Sequence, residues 1–149
     1  MGLLRKNTHT ARINDIKIDV YKLHNSTEDH PIEIYKISVF TEELEYPCWS
    51  TIKGKDDKKK NRISPQEVIN TLAEHGYIKS MLKFPKLRHH FKQIKRADID
   101  YPIHVYKNHV VDGMHRLAKI SLSLKLGETT NDSVLVKKLE KIPEVAIIK

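Results

Sequence analysis

The chain has 149 residues, of which 39% are hydrophobic and 31% are charged, a balance typical of a globular protein rather than a disordered one. No apolar run approaches the roughly 20 residues of a membrane-spanning helix, and no secretory signal is recognisable, so a membrane partner is not expected. Cys48 is the only cysteine, which excludes an internal disulfide and favours an intracellular, cytoplasmic location. The formal net charge of +8 indicates either an anionic partner or simply high solubility.

The first part of the chain has patterns typical of β-strands. Apolar and polar residues alternate over 16–23 and over 32–40, which predicts two strands joined by a polar loop. Residues 41–63 have no clear period and include a lysine-rich run. We therefore expect an N-terminal strand region at 12–40, separate along the chain from the core region at 64–149.

Helix signals begin at Ser64. This residue is a predicted N-cap, Glu67 completes a capping box with it, and Gly76 is expected to end the helix. Further helical turns are predicted at 77–83 and 86–96. The helices are expected to be separated by the Phe-Pro pair that lies between the last two segments.

The last part of the chain mixes both kinds of element. Short strands are predicted at 103–106 and 109–111, and a helix is predicted at 115–126. A short helix near 132–140 and a final strand at 143–148 complete the prediction. The sequence thus predicts an α+β fold, with a small mixed sheet and packed helices, in one domain that spans the whole chain.

The segment VVDGMHRLAKISL, residues 110–122, places a tight turn between a predicted strand and a predicted helix. The first turn of a helix exposes backbone N–H groups and the positive end of the helix dipole, which favours phosphate. Gly113 permits close approach of the backbone, Arg116 offers a fork of donors, and His115 exchanges protons near neutral pH. In the simpler alternative, Asp112 caps the helix, Gly113 makes the turn, and the two basic side chains face water.

The order of elements around this turn resembles the core of the ParB/sulfiredoxin superfamily. Members have a Pro-Ile-x-Val strand, a strand that ends in Asp-Gly-x-His-Arg-Leu, a helix that ends in Leu-Gly, and an Ile-Pro strand. The matching positions are Pro102, Ile103 and Val105; Asp112, Gly113, His115, Arg116 and Leu117; Ala118; Leu126 and Gly127; and Ile142 and Pro143.

The resemblance implies a nucleotide-binding domain that acts on ATP or CTP with Mg²⁺, by hydrolysis or by phosphoryl transfer. It implies that Gly113, His115 and Arg116 contact the phosphates. It also implies that Asp112 and His115 are catalytic and that Asp112 faces the metal or a substrate hydroxyl. Met114 occupies the position at which sulfiredoxins need a cysteine, so sulfiredoxin activity is not expected. The arginine-rich box and the following helix-turn-helix of partitioning proteins have no counterpart here, and no catalytic glutamate could be aligned.

Two other functions stay open. The segment 79–96 carries seven basic residues and no acidic one, so a ParB-like DNA-binding or nuclease module is an alternative, as is a plain solvated face. A non-catalytic interaction protein is the third reading. A structural zinc site is disfavoured because the nine histidines include no His-x-His or His-x-x-x-His pair. The candidate nucleic-acid contacts are Lys83, Lys86, Arg88, Lys92, Lys95 and Arg96.

Overall fold

A computed structural model of the chain describes residues 10–13, 16–51 and 62–149. Strands and helices alternate through these ranges, which confirms the predicted α+β class. Short 3₁₀ turns at Ile37–Phe40, Pro85–Leu87 and Glu144–Ala146 join some of them. The elements are, in order, β1 (Thr10–Ile13), β2 (Ile16–Asp19), α1 (Val20–Ser26), β3 (Glu33–Lys36), α2 (Thr41–Glu45), β4 (Trp49–Ser50), β5 (Arg62–Ile63), α3 (Pro65–Lys83), α4 (Arg88–Arg96), β6 (Ile103–Tyr106), β7 (His109–Asp112), α5 (Met114–Lys125), β8 (Ser133–Leu139) and β9 (Ile147–Ile148).

The largest sheet has the strand order β3-β8-β6-β7. Strands β6 and β7 form an antiparallel hairpin around Lys107 and Asn108, which both have positive φ, as a two-residue hairpin turn of type I′ requires. Strand β8 runs parallel to β6, so the chain crosses over through α5 between β7 and β8. A bulge in the hairpin pairs His104 with Asp112. The end of β7 and the start of α5 therefore lie beside β6. A second sheet has the strand order β1-β2-β9, and β4 pairs with β5 in a third.

Two hydrophobic clusters flank strand β7. The larger cluster joins α3, α4 and α5 to the main sheet, and Phe91, Ile94 and Leu117 are fully buried in it. The smaller cluster lies around α1 and the C-terminal segment and includes Val111. The neighbouring Val110 packs against the larger cluster instead. Strand β7 thus contributes to both clusters through consecutive residues.

Two predicted strands are shorter than expected. The strand predicted at 16–23 ends at Asp19, whose carboxylate accepts a hydrogen bond from the Lys22 backbone N–H and caps α1. Val20 and Leu23 are buried three residues apart, which is helical spacing, and Leu23 is out of phase with the period-two alternation of residues 16, 18 and 20. The strand predicted at 32–40 ends after residue 36 and continues as a 3₁₀ turn.

The short helix predicted near 132–140 is wrong, because this segment is β8. Burial alternates over its first four residues, with Val134 and Val136 buried, and β-branched residues favour strand geometry. The strand predicted at 143–148 is limited to the two residues of β9.

The helix signals at Ser64 are confirmed. The Ser64 hydroxyl accepts a hydrogen bond from the Glu67 N–H, and the Glu67 carboxylate accepts one from the Ser64 N–H. Gly76, at φ 76° and ψ 173°, breaks the helical geometry within α3. The separation at the Phe-Pro pair before α4 is also as predicted.

Candidate functional site

The Asp-Gly-x-His-Arg segment spans the junction of β7 and α5, as the sequence predicts. Gly113 precedes α5 with φ 107°, a conformation that other residues rarely adopt. A Cβ atom at this position would lie 2.5 Å from Cγ2 of Ile103. The space left by the missing Cβ, predicted from the sequence to admit a phosphate, is occupied by Ile103 of β6. Glycine is thus needed here to seat the junction against the sheet.

An open cavity of about 230 Å³ lies in front of this junction. Sites for drug-sized ligands range from about 300 to 1,000 Å³, so this volume suits part of a nucleotide, such as its phosphates. The cavity combines the start of α5 with the C-terminal part of α4 and the loop that follows it. Its lining residues are Gln93, Arg96, Ala97, Asp98, Tyr101, Asp112, Gly113, His115 and Arg116.

Asp112 is a buried carboxylate held by two donors. Arg116 Nη2 and His24 Nε2 each donate to Oδ2 of Asp112 at 2.7 Å. Burial raises the pKa of Asp112, but the His24 hydrogen bond and the Arg116 charge outweigh this effect and lower it to about 2. Asp112 is therefore ionised at neutral pH. Because it bonds to Arg116, whose side chain is only 14% exposed, neither residue fits the simpler alternative of a capping acid and a solvated base.

His115 belongs to a chain of hydrogen bonds that fixes its tautomer. His90 Nε2 lies 2.7 Å from the Ser50 carbonyl oxygen, which can only accept, so this nitrogen carries the hydrogen. Burial lowers the pKa of His90 to about 4, so the ring is neutral and its Nδ1 is an acceptor. His115 Nε2 lies 3.0 Å from that Nδ1 and must therefore donate to it. In neutral His115 the basic nitrogen is consequently Nδ1.

Trp49 supports both imidazoles. The centroids of the His90 and His115 rings each lie 4.5 Å from that of the indole, at interplanar angles of 11° and 13°. The two imidazole centroids are 5.3 Å apart, so both rings lie on the same face of Trp49. The indole thereby fixes the plane of His115. The sequence analysis missed His90 and Trp49 as site residues because they come from α4 and β4, far from the motif along the chain.

Behind the cavity, His24 and His104 approach the other side of Asp112. Their rings are stacked with centroids 4.7 Å apart. One ring nitrogen of each histidine and one carboxylate oxygen of Asp112 lie within 4.8 Å of one another. The sequence contained no signal for this cluster, because its members lie on α1, β6 and β7.

The six basic residues predicted to contact nucleic acid are all exposed. Four of them, Arg88, Lys92, Lys95 and Arg96, occupy α4 at spacings that place them on one helix face, opposite the buried Phe91 and Ile94. Lys83 ends α3 and Lys86 lies in the 3₁₀ turn. Arg96 also lines the cavity, so the basic face of α4 is continuous with it.

Three further side chains lie in or near the parts of the chain that the sequence singled out. Burial and the Glu43 charge raise the pKa of Cys48 to about 11, so its thiol is a poor nucleophile at neutral pH. Tyr101 lines the cavity and is 63% exposed, whereas Tyr106 packs against the smaller hydrophobic cluster.

Comparisons with known proteins give no relative: no protein-family model, no curated protein and no solved structure matches the chain. Among the described residues, no helix is long and apolar enough to cross a membrane. The function therefore has to be argued from the site itself.

Proposed function

We propose that the chain is a ParB/sulfiredoxin-like domain that binds nucleoside triphosphates, ATP or CTP, by their phosphates and hydrolyses them or transfers the terminal phosphoryl group. The observation that carries the proposal is that one cavity at the start of α5 is lined by Gly113, His115 and Arg116 of the motif. Arg96 of α4 also lines this cavity, a position that the motif does not predict. Two guanidinium groups beside a helix N-terminus are a combination suited to phosphate.

Each side chain has a distinct task in this proposal. The Arg116 guanidinium donates a hydrogen bond to Asp112 at 2.7 Å. Its remaining N–H donors are therefore already oriented before a phosphate binds. Arg96 supplies a second, exposed positive charge. The cavity is too small for a whole nucleotide, so the base would lie outside it, against the exposed ring of Tyr101.

His115 acts as the general base. The hydrogen bonds that link the Ser50 carbonyl, His90 and His115 leave the basic lone pair of His115 on Nδ1. When Nδ1 takes up a proton, a cation–π contact with Trp49 stabilises the resulting imidazolium. In hydrolysis this nitrogen takes a proton from the attacking water while the bond between the γ-phosphorus and the bridging oxygen breaks. The rest of the catalysis is positioning and charge neutralisation, which dominate phosphoryl transfer.

The residues around Asp112 do not fit Mg²⁺. This ion prefers oxygen ligands in octahedral geometry, whereas the other potential ligands beside Asp112 are the imidazoles of His24 and His104. The proposed reaction therefore has no step that depends on Mg²⁺ held by Asp112.

Ligand-induced thermal stabilisation tests the proposal. We expect ATP or CTP to raise the melting temperature by several degrees, since saturation at about 100 times Kd stabilises a protein by about 2.7 kcal/mol. The variants Arg96→Ala and Arg116→Ala should lose this shift. Arg96 is the cleaner test, because its removal leaves Asp112 paired. Lys125→Ala, at the far end of α5, is the matched control and should keep the full shift. A melting temperature unchanged by all four nucleoside triphosphates would refute the proposal.

A second candidate function is nucleic-acid binding by the basic face of α4. The observation that favours it is the alignment of four cations along two turns of one exposed helix face. If this face contacts the phosphate backbone, Arg88→Ala and Lys92→Ala should each reduce the salt dependence of binding by about one unit of slope. The nucleotide-induced thermal shift should be unchanged in both variants. The third alternative is a non-catalytic interaction protein. It predicts no nucleotide turnover, whether or not a nucleotide binds.

A further inference from the structure

The cluster behind the cavity contains a histidine that is prepared to act as a ligand. The Thr27 hydroxyl donates to the Leu23 carbonyl at 2.7 Å, so its oxygen must accept from His104 Nε2 at 3.0 Å. His104 therefore carries its hydrogen on Nε2, and its Nδ1 is a bare lone pair. Only 3% of this residue is exposed, and Nδ1 has no hydrogen-bond partner in the described part of the chain.

An unsatisfied buried lone pair destabilises a protein unless something binds to it. Such a group has lost its hydrogen bonds to water and has gained none within the protein. Metal-ligating histidines usually donate their second ring N–H to an oxygen, which fixes the tautomer and the ring orientation. The Thr27 hydroxyl oxygen accepts the Nε2 hydrogen of His104 in this way. The arrangement is thus that of a metal ligand with its supporting hydrogen bond in place.

We propose that His24, His104 and Asp112 form a binding site for a divalent transition metal of the Zn²⁺ and Co²⁺ type. Two imidazoles and one carboxylate are a donor set that these ions favour, whereas Mg²⁺ does not. Metal–ligand distances of about 2.0–2.2 Å place tetrahedral ligands roughly 3.3 Å apart, so atoms within 4.8 Å of one another would have to approach by up to about 1.5 Å when the ion binds. The fourth position is open to water or to a substrate atom.

His24 provides the route of entry, because its side chain is 41% exposed while Asp112 is 9% exposed. Without metal, His24 Nε2 donates its hydrogen to Oδ2 of Asp112. When the ion binds Nε2, the hydrogen on that nitrogen leaves, and metal bonds to His24 and Asp112 replace the hydrogen bond between them.

Substitution of Arg116 distinguishes the proposed metal site from the proposed nucleotide site. Its guanidinium lies 2.7 Å from the carboxylate oxygen of Asp112 and repels a cation placed there. Removal of Arg116 should therefore tighten metal binding while it abolishes the nucleotide-induced shift. The metal proposal does not depend on nucleotide binding, and the two fail separately.

The test is a Co²⁺ titration of the chelator-treated protein, followed by visible absorption, with Zn²⁺ as competitor. We expect one equivalent of Co²⁺ to give the absorption of a tetrahedral site, Zn²⁺ to displace it, and a large excess of Mg²⁺ to have no effect. His24→Ala should weaken binding at least about 10-fold, the effect typical even of losing a supporting partner. His30→Ala, an exposed histidine outside the cluster, is the matched control and should bind as the wild type does.

Thermal unfolding is the second measurement, and it also shows whether each variant is folded. Zn²⁺ should raise the melting temperature of the wild type and of Arg116→Ala, and it should leave that of His24→Ala unchanged. Equal Co²⁺ affinity in the wild type and His24→Ala would overturn the proposal. The absence of any binding at one equivalent, or displacement of Co²⁺ by Mg²⁺, would overturn it as well.

Discussion

Acidification from pH 7 to pH 5 should destabilise the protein through two buried histidines. His90 and His104 are only 5% and 3% exposed, and burial is the main cause that lowers the pKa of each from 6.5 to about 4. In the unfolded chain both rings regain the ordinary pKa and take up a proton below pH 6.5. The unfolded state therefore binds more protons between pH 6.5 and 4, and stability falls as the pH falls through that window.

The size of the effect follows from the two pKa values. At pH 5 the unfolded imidazole is mostly protonated and the folded one mostly neutral, which costs about 2 kcal/mol for each histidine. Together His90 and His104 should lower the free energy of unfolding by about 4 kcal/mol, a large part of the 5–15 kcal/mol typical of a domain. The expected drop in melting temperature is roughly 10 °C.

Urea denaturation at pH 7 and pH 5, in the presence of a chelator, measures this loss directly. In His90→Gln the amide keeps a donor toward the Ser50 carbonyl but cannot be protonated, so about half of the pH dependence should disappear. His104→Gln should remove the other half, and the exposed His30→Ala should remove none. If the free energy of unfolding is the same at the two pH values, or if both Gln variants keep the full dependence, the assignment of neutral buried histidines is wrong.

The glycines and the helix cap allow two further predictions. Gly113→Ala should destabilise the protein by about 3 kcal/mol or more, because its Cβ would meet Ile103 at 2.5 Å in a strained conformation. Gly76→Ala has no atom within 4 Å of the new Cβ, so it should cost only the backbone strain of its φ 76° and ψ 173°, about 1–3 kcal/mol, and a loss at Gly113 no larger than at Gly76 would contradict the packing argument. Ser64→Ala should cost about 1 kcal/mol in urea denaturation, since it removes the acceptor for the Glu67 N–H, and a loss below about 0.3 kcal/mol would show that the cap is not needed.

Local signals account for the parts of the fold that the sequence predicts well. The capping box at Ser64, the break at Gly76 and the hairpin turn at residues 107–108 are each set by a few neighbouring residues, and all three are as predicted. The segments at 20–23 and 133–139 were misassigned, because their short apolar patterns fit either a helix or a strand.

The candidate site was predictable only in its contiguous part. The motif identifies Asp112 and Arg116, but their partners come from other elements. The register of the hairpin explains why His104 was missed: a regular two-residue hairpin would pair it with Val111, and the bulge moves the pairing to Asp112. His24 is brought to Asp112 by tertiary packing, across 88 positions of sequence.

Strand β7 ties the existence of the site to cooperative folding. Because Val110 packs into one hydrophobic cluster and Val111 into the other, local unfolding of the smaller cluster should remove one of the two contacts that hold β7. The same event should separate His24 from Asp112, because the neighbouring Leu23 belongs to the smaller cluster. A partly unfolded molecule with an intact larger cluster would therefore lack the complete candidate site, and loss of the proposed metal binding should precede unfolding of α3, α4 and α5 during denaturation.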